Sequence, residues 1–391
     1  MKKKIRRIKY HKLLLGLAQN EPEINIIKKT IISEKIKEQV KLRNAGIDLA
    51  RIIDMLAIII FHILVDIGFK RKFNRYNKEL HALLASVHWH NCCFIFISGY
   101  IGYKTTKYSN LIYLWFWTIF YFIGFKIFYI KFKSNIYKGT INYLDFFPVL
   151  TRRYWYFSIY FGMYLFLPVI NEGLVIINKS KLKITFISFI LVFVILRKYI
   201  NPKNDLFIIN EGKSIIWFLI FYITGAYFGK FKNNNENIIK KFIYCLIYIF
   251  IFCFSTYLAI KSPYYIINSK NPSYKDKIKQ LIKLLFVLSN ASIVQVLQSI
   301  SIILFLTSIK YNKYITKITS IIGPLVFGVY LIHWQPQILN NILIKHFRNN
   351  YSSNLPLNTV LKVIFLKSIQ IFVICIIIDY FRYILFRICK I

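Results

Sequence analysis

The chain has 391 residues, 57% of them hydrophobic and 18% aromatic, with a mean hydropathy of +0.49. Its 54 Lys+Arg against 15 Asp+Glu give a formal net charge of +39 at pH 7. Soluble domains average roughly 45–50% apolar residues, and nucleic-acid binders concentrate basic charge on a soluble face; here long apolar runs alternate with short basic clusters, which excludes a soluble enzyme, a disordered chain, a disulfide scaffold and a nucleic-acid partner. The pattern is that of a polytopic membrane protein.

Residues 1–46 form a basic N-terminal segment. The run KKKIRRIKYHK is followed by Ile24, Ile27, Ile31 and Ile32 at near-helical spacing among Lys and Glu. Two readings stand: an amphipathic helix on the anionic inner leaflet, or a solvated topology signal. The apolar run Leu13–Ala18 is too short for the core of a secretory signal, so no cleavable leader is expected.

Residues 47–391 form the membrane domain. Stretches of about 20 mostly apolar residues, the length that crosses a bilayer, recur near 47–68, 82–103, 109–130, 154–177, 183–200, 214–230, 238–260, 284–309, 318–344 and 359–386. The expected fold is an all-α integral membrane protein of about ten transmembrane helices. The fifth and sixth spans are short enough to be re-entrant. Basic density at 104–108, 178–182, 231–237 and 310–317, together with the basic tail, predicts N-in/C-in topology.

Ionisable groups inside a span are costly and mark functional positions. In the first span, Asp48, Arg51 and Asp54 lie three residues apart, so Arg51 reaches a carboxylate on either side; for Asp54 an interfacial salt bridge is the simpler reading. His62 lies eleven residues beyond Arg51. Eleven steps of about 100° return it to nearly the same helix face, ~16 Å further along. A fixed cation and a titratable imidazole thus share one face, an arrangement suited to a general base or proton carrier.

The second span carries His88-Trp89-His90-Asn91-Cys92-Cys93 and then Ser98-Gly99-Tyr100. His88 and His90 cannot share a regular helix face, so a metal site there needs an irregular backbone, and none is expected. Gly99 allows close approach of another helix or a ligand. Lys104 and Lys107 follow, either as phosphate binders or as solvated flanks. Arg152-Arg153-Tyr154-Trp155 opens the fourth span as a basic pair meeting an aromatic belt. Within the ninth span lies His333, ahead of Pro336, where a kink is expected; Lys362 and Lys367 in the tenth snorkel or pair. The six cysteines have neither disulfide nor zinc spacing and are expected to pack as small hydrophobes.

These segments resemble the membrane-bound acyltransferase 3 family, in its low-GC Gram-positive, surface-glycan O-acetyltransferase form. IDLARIIDMLAIIIFH looks like its Asp-x-x-Arg opening and Arg-x10-His motif, with Arg51 and His62 in register. CCFIFISGYIGYK is similar to its Ser-Gly-Tyr signature, RRYWYFSIYFGMYLFLPVIN to its Trp-Tyr-Phe span, IIWFLIFYITGAYFGK to its Gly-Ala-Tyr span and FGVYLIH to its Tyr-Leu-Ile-His span. The resemblance implies a ten-helix plasma-membrane enzyme with no permanently bound cofactor. It would move an acyl group, usually acetyl, from cytoplasmic acyl-CoA to a hydroxyl of a cell-surface or lipid-linked glycan. His62 and Arg51 would be the essential pair, with Arg51, Lys104 and Lys107 toward the donor phosphates. Asp48, Ser98, Tyr100, Trp155 and His333 are the substrate-side candidates. No fused esterase domain is expected after the last span. The alternative is a proton-coupled transporter or exporter of a glycan precursor.

Overall fold

Every regular element among the described residues is helical. The computed structural model describes residues 44–132, 140–151, 153–196, 207–231, 238–261, 291–335, 338 and 343–389. The expected amphipathic tail, Arg152, Pro336 and parts of the fifth, eighth and ninth expected spans lie outside them. In chain order the helices are α1 (Ala45–Leu64), α2 (Phe69–Lys72), α3 (Asn77–Val87), α4 (His90–Gly102), α5 (Tyr108–Phe132), α6 (Trp155–Ile176) and α7 (Lys179–Phe189). Then come α8 (Ile215–Lys230), α9 (Ile238–Lys261), α10 (Ile293–Ser308), α11 (Lys313–Ile322), α12 (Val326–His333), α13 (Lys345–Asn349) and α14 (Leu357–Ile388).

Six described helical segments are long and apolar enough to cross a membrane, and two shorter apolar helices, α8 and α10, accompany them. One of the six joins α3 to α4, and another joins α11 to α12 through the turn Gly323–Leu325. The lipid-facing surface is plain from what stays exposed. On α9, Ile239, Phe242, Leu246, Phe250 and Phe254 point outward, and on α14 Leu366, Ile369, Ile377 and Phe381 do the same. In water such stripes would be a liability; in hydrocarbon they are the solvent-matched face.

The second expected span is broken rather than continuous. α3 ends at Val87 and α4 starts at His90, leaving a turn at His88-Trp89. A break strands backbone carbonyls that hydrocarbon cannot satisfy. Helix α10 supplies the missing donors: Gln298 Nε2 donates to Ala85 O (2.9 Å), Gln295 Nε2 to His88 O (3.2 Å) and Ser299 Oγ to Trp89 O (2.9 Å). Gln295, Gln298 and Ser299 are buried where they cap this break. The turn also brings the His88 and His90 rings to 6.1 Å, yet no group of three metal-ligating side chains occurs among the described residues.

Helices α4 and α8 pack backbone to backbone. A Cβ at Gly225 would collide with Phe96 O, one at Gly229 with Tyr100 O, and one at Gly99 with Tyr222 O. Positions 96 and 100 on α4 thus match 225 and 229 on α8, so the two helices run in the same direction. The Gly225-x-x-x-Gly229 spacing supplies the small-residue seam that membrane helices use where apolar burial gives no drive to associate. Gly99 was expected to admit a helix or a ligand, and it admits a helix.

Both helices end at the same end of the bundle as α6. Asn171 of α6 donates to Gly102 O (3.2 Å) and Thr106 Oγ1 (2.8 Å) and accepts from Tyr222 Oη (2.9 Å). Lys230 Nζ donates to Leu174 O, Val175 O and Ile177 O at 2.7, 2.9 and 2.5 Å. An ammonium on the last carbonyls of α6 satisfies acceptors that the helix cannot and complements its negative pole. The start of α1 reaches the same end, since Gly46 packs against Leu306 O at the end of α10.

Candidate active site

Arg51 and His62 line one elongated cavity of about 430 Å³, together with Ser98, Trp155, Tyr160 and Trp334. Helix α1 supplies both ends of it. The 100° step per residue keeps Arg51 and His62 on one face, and the ~1.5 Å rise sets them ~16 Å apart. The cavity therefore runs along the bundle, with the guanidinium toward the end where α1 begins and the imidazole toward the other.

His62 sits in the last turn of α1, which stops at Leu64. The expected helix ran to residue 68, which would have put the imidazole deeper. The early stop has a chemical consequence. In the turn that follows, Asp66 Oδ2 lies 2.6 Å from His62 Nδ1. A carboxylate can only accept, so Nδ1 carries a proton, and in the neutral ring Nε2 is the nitrogen with the lone pair. Trp334 stacks on the imidazole with ring centroids 4.1 Å apart, and the His333 ring stands at 5.5 Å. Orientation by hydrogen bond on one side and by stacking on the other fixes the ring.

Arg51 is held from its own helix. Its Nη1 donates to Asp48 Oδ1 at 3.0 Å, and the Asp48 carboxylate is buried. Gly323 seats that carboxylate: a Cβ there would come within 2.7 Å of Asp48 Oδ1 and 2.9 Å of its Cβ. Gly323→Ala is therefore expected to displace Asp48 and turn Arg51 away from the cavity. An anionic ligand of this cavity is then expected to bind about tenfold more weakly, the loss of one charge-assisted contact; wild-type affinity would show that the Gly323 contact does not set the arginine.

The other expected site residues divide. Ser98 and Trp155 line the cavity with Arg51 and His62, although the Ser98 hydroxyl donates to Phe94 O (2.9 Å) within its own helix. Trp155 carries Lys213 Nζ over its ring at 5.3 Å. His333 lies beside His62 outside the cavity wall; its Nδ1 donates to Val329 O at 2.6 Å and its Nε2 is buried with no hydrogen-bond partner among the described residues. Tyr100 faces a second cavity at the other side of α4. Lys104 and Lys107 line neither cavity; Lys104 Nζ sits 5.7 Å above the Tyr103 ring and the Lys107 carbonyl accepts from Tyr164 Oη.

Asp66 and Asp379 are among the acidic groups with marked contacts that escape the sequence reading. Asp66 follows His62 by four residues, a same-face spacing that signals it. Asp379 and Arg382, spaced i, i+3 in α14, form a buried ion pair that lies away from the cavity (Nη2 to Oδ2, 2.7 Å). Asp379 Oδ1 also accepts from Tyr121 Oη (2.8 Å) and Trp117 Nε1 (3.1 Å), both on α5.

An oriented imidazole and a fixed cation at opposite ends of one membrane-embedded cavity suit transfer of a group from an anionic donor. The family model described as an acyltransferase domain, of the acyltransferase 3 type, matches residues 44–380 and so contains the whole of this arrangement. No curated protein and no solved structure matches the chain. With a match over most of its length, and with helices built to sit in lipid, the chain belongs to the acyltransferase 3 family and is a multi-pass membrane acyltransferase.

Proposed function

We propose that this acyltransferase moves an acetyl group from acyl-CoA at the cytoplasmic face to a hydroxyl of a cell-surface or lipid-linked glycan, in the plasma membrane of a Gram-positive cell. The observation that carries the reading is the single cavity with Arg51 at one end and the Asp66-oriented His62 at the other. The donor enters with its phosphates at the end where α1 begins, and Arg51 steadies the donor by charge-assisted hydrogen bonds. The thioester carbonyl reaches His62 Nε2.

There His62 takes the proton from the acceptor hydroxyl as its oxygen attacks the carbonyl carbon. The new C–O bond forms, the C–S bond breaks, and the imidazolium returns the proton to the departing thiolate. Attack by Nε2 itself, followed by transfer from an acyl-imidazole, uses the same geometry. Trp155 and Trp334 offer flat apolar surfaces for the faces of a sugar ring, and His333 backs the imidazole. A ten-span, N-in/C-in topology places the loops at 104–108, 178–182 and 310–312 and the α1 start on the cytoplasmic side, consistent with their gathering at one end of the bundle.

The test supplies labelled acetyl-CoA to membranes that contain the protein. Label entering a glycan or lipid-linked fraction is the expected outcome. No transfer from acetyl-CoA or from longer acyl-CoA donors would remove acyl-CoA as the donor.

A further inference from the structure

A second cavity, of about 380 Å³, lies at the end of the bundle where α1 begins, between the last turns of α4, α8 and α10 and the first turns of α7 and α9. Three lysines from three different elements line it: Lys179 at the first position of α7, Lys241 in the first turn of α9 and Lys310 just beyond α10. Its described lining contains no Asp or Glu. The remaining wall is largely aromatic, with Tyr227, Phe231 and Tyr244 among its residues, and Tyr244 stacks on Tyr248.

Two features set this cavity apart from an ordinary basic membrane edge. Lysine normally favours the last turn of a helix, where it meets the negative pole, yet Lys179 and Lys241 occupy first turns and add to the positive pole there. Two helix starts and three lysines from separate elements thus border one concave space, a combination that suits an anion. Edge lysines that only mark topology have no need to converge across three elements. The cavity also lies close to the active site. Gly46 of α1 packs on the turn of α10 that supplies Thr307 to the cavity wall, and Arg51 is ~7.5 Å further along α1.

We infer that this cavity binds a phosphate-bearing anion with a planar aromatic part, namely the nucleotide end of the thioester donor. The phosphates sit among Lys179, Lys241 and Lys310, and the base lies against the aromatic wall. Its identification as the donor's nucleotide rests on the reading above; the anion site itself does not. About 24 Å of α1 separate its first turn from His62, so a donor anchored here needs a long neutral arm between head and thioester, which is how acyl-CoA is built. The phosphates thereby move from Lys104 and Lys107 to three lysines that the sequence reading assigned to loops and flanks.

The test uses purified full-length protein in nanodiscs, wild type beside a Lys179→Gln, Lys241→Gln, Lys310→Gln variant. Binding of adenosine 3′,5′-bisphosphate is expected to weaken about 10-fold or more in the variant. The KM for acetyl-CoA is expected to rise by a similar factor relative to the KM for S-acetyl-N-acetylcysteamine, a thioester with no nucleotide, whose turnover also reports that the variant is folded. Equal bisphosphate binding by both proteins overturns the proposal. Binding that is lost in phosphatidylglycerol nanodiscs, and not in phosphatidylcholine, in wild type alone would make the ligand a lipid headgroup and overturn it as well. Lysine-dependent bisphosphate binding without transfer from any acyl-CoA would uphold the anion site and remove the donor reading instead.

Discussion

His62→Ala is expected to lower acyl transfer by about 10²-fold or more, the contribution of a positioned general base, with the protein still monodisperse after extraction. Asp66→Asn separates the base from its orientation. The Asn amide nitrogen and oxygen are nearly isosteric with the carboxylate, so packing is kept. The amide oxygen still accepts from Nδ1–H, but the charge that favours that tautomer and stabilises the imidazolium formed in the transition state is lost. The expected result is a fall in kcat of about tenfold or more with donor KM within about a factor of two, because Asp66 acts on the transition state and not on donor binding. The readout is kcat and KM with labelled acetyl-CoA for each protein. A His62→Ala enzyme with near-normal kcat would remove the imidazole from the chemistry; an Asp66→Asn enzyme with raised KM and intact kcat would make Asp66 a donor contact.

The second large effect falls on stability. Asp379 is fully buried, and its carboxylate receives Arg382 Nε (3.0 Å) and Nη2 (2.7 Å) as well as the α5 donors Tyr121 and Trp117. Arg382 Nη1 donates to Tyr113 Oη (2.8 Å), and the guanidinium stacks over Trp117 with 3.7 Å between its carbon and the ring centroid. On the third side Gly328 of α12 presses against the Asp379 carboxyl so closely that a Cβ could not be placed there. One ion pair therefore ties α5, α12 and α14 together in a region from which water is excluded. Breaking a buried pair by removing one partner leaves the other charge uncompensated and costs about 3–5 kcal/mol.

Asp379→Ala is accordingly expected to lower the apparent melting temperature strongly, or to abolish recovery of folded protein, when followed by fluorescence-detected gel filtration in detergent. The double variant Asp379→Leu, Arg382→Met is expected to melt above the Asp379→Ala single variant, since no lone charge remains. If the double variant were the less stable of the two, the pair would be contributing net attraction and not merely mutual compensation.

How much of this was legible beforehand depends on whether the determinant is local. Long apolar runs are a property of neighbouring residues and of the solvent they match, so the membrane class and most helix positions can be read directly. The face shared by Arg51 and His62 is equally local, because helix geometry alone sets it. Asp66 was legible by the same rule, four residues past His62, but an expected helix running to 68 hid the turn that presents it. The break at His88-Trp89 was anticipated only as a condition for a metal site. Its real support is Gln295, Gln298 and Ser299, some 200 residues later in the chain, and no local pattern connects them.

Tyr100 and Ser98 show the boundary most clearly. Two residues apart on one helix, they face different cavities, and the sequence had grouped them by proximity. Lys179, Lys241 and Lys310 show the reverse, since three separate flanks converge only when α7, α9 and α10 end side by side. By itself the sequence determined a helical membrane protein with a cation and an imidazole on one helix face, because hydropathy and helical periodicity act within a few turns of chain. Which polar groups cap, pair or share a cavity was decided by the tertiary structure, because helices without a hydrophobic drive to associate choose their neighbours by small-residue seams and buried hydrogen bonds between distant segments.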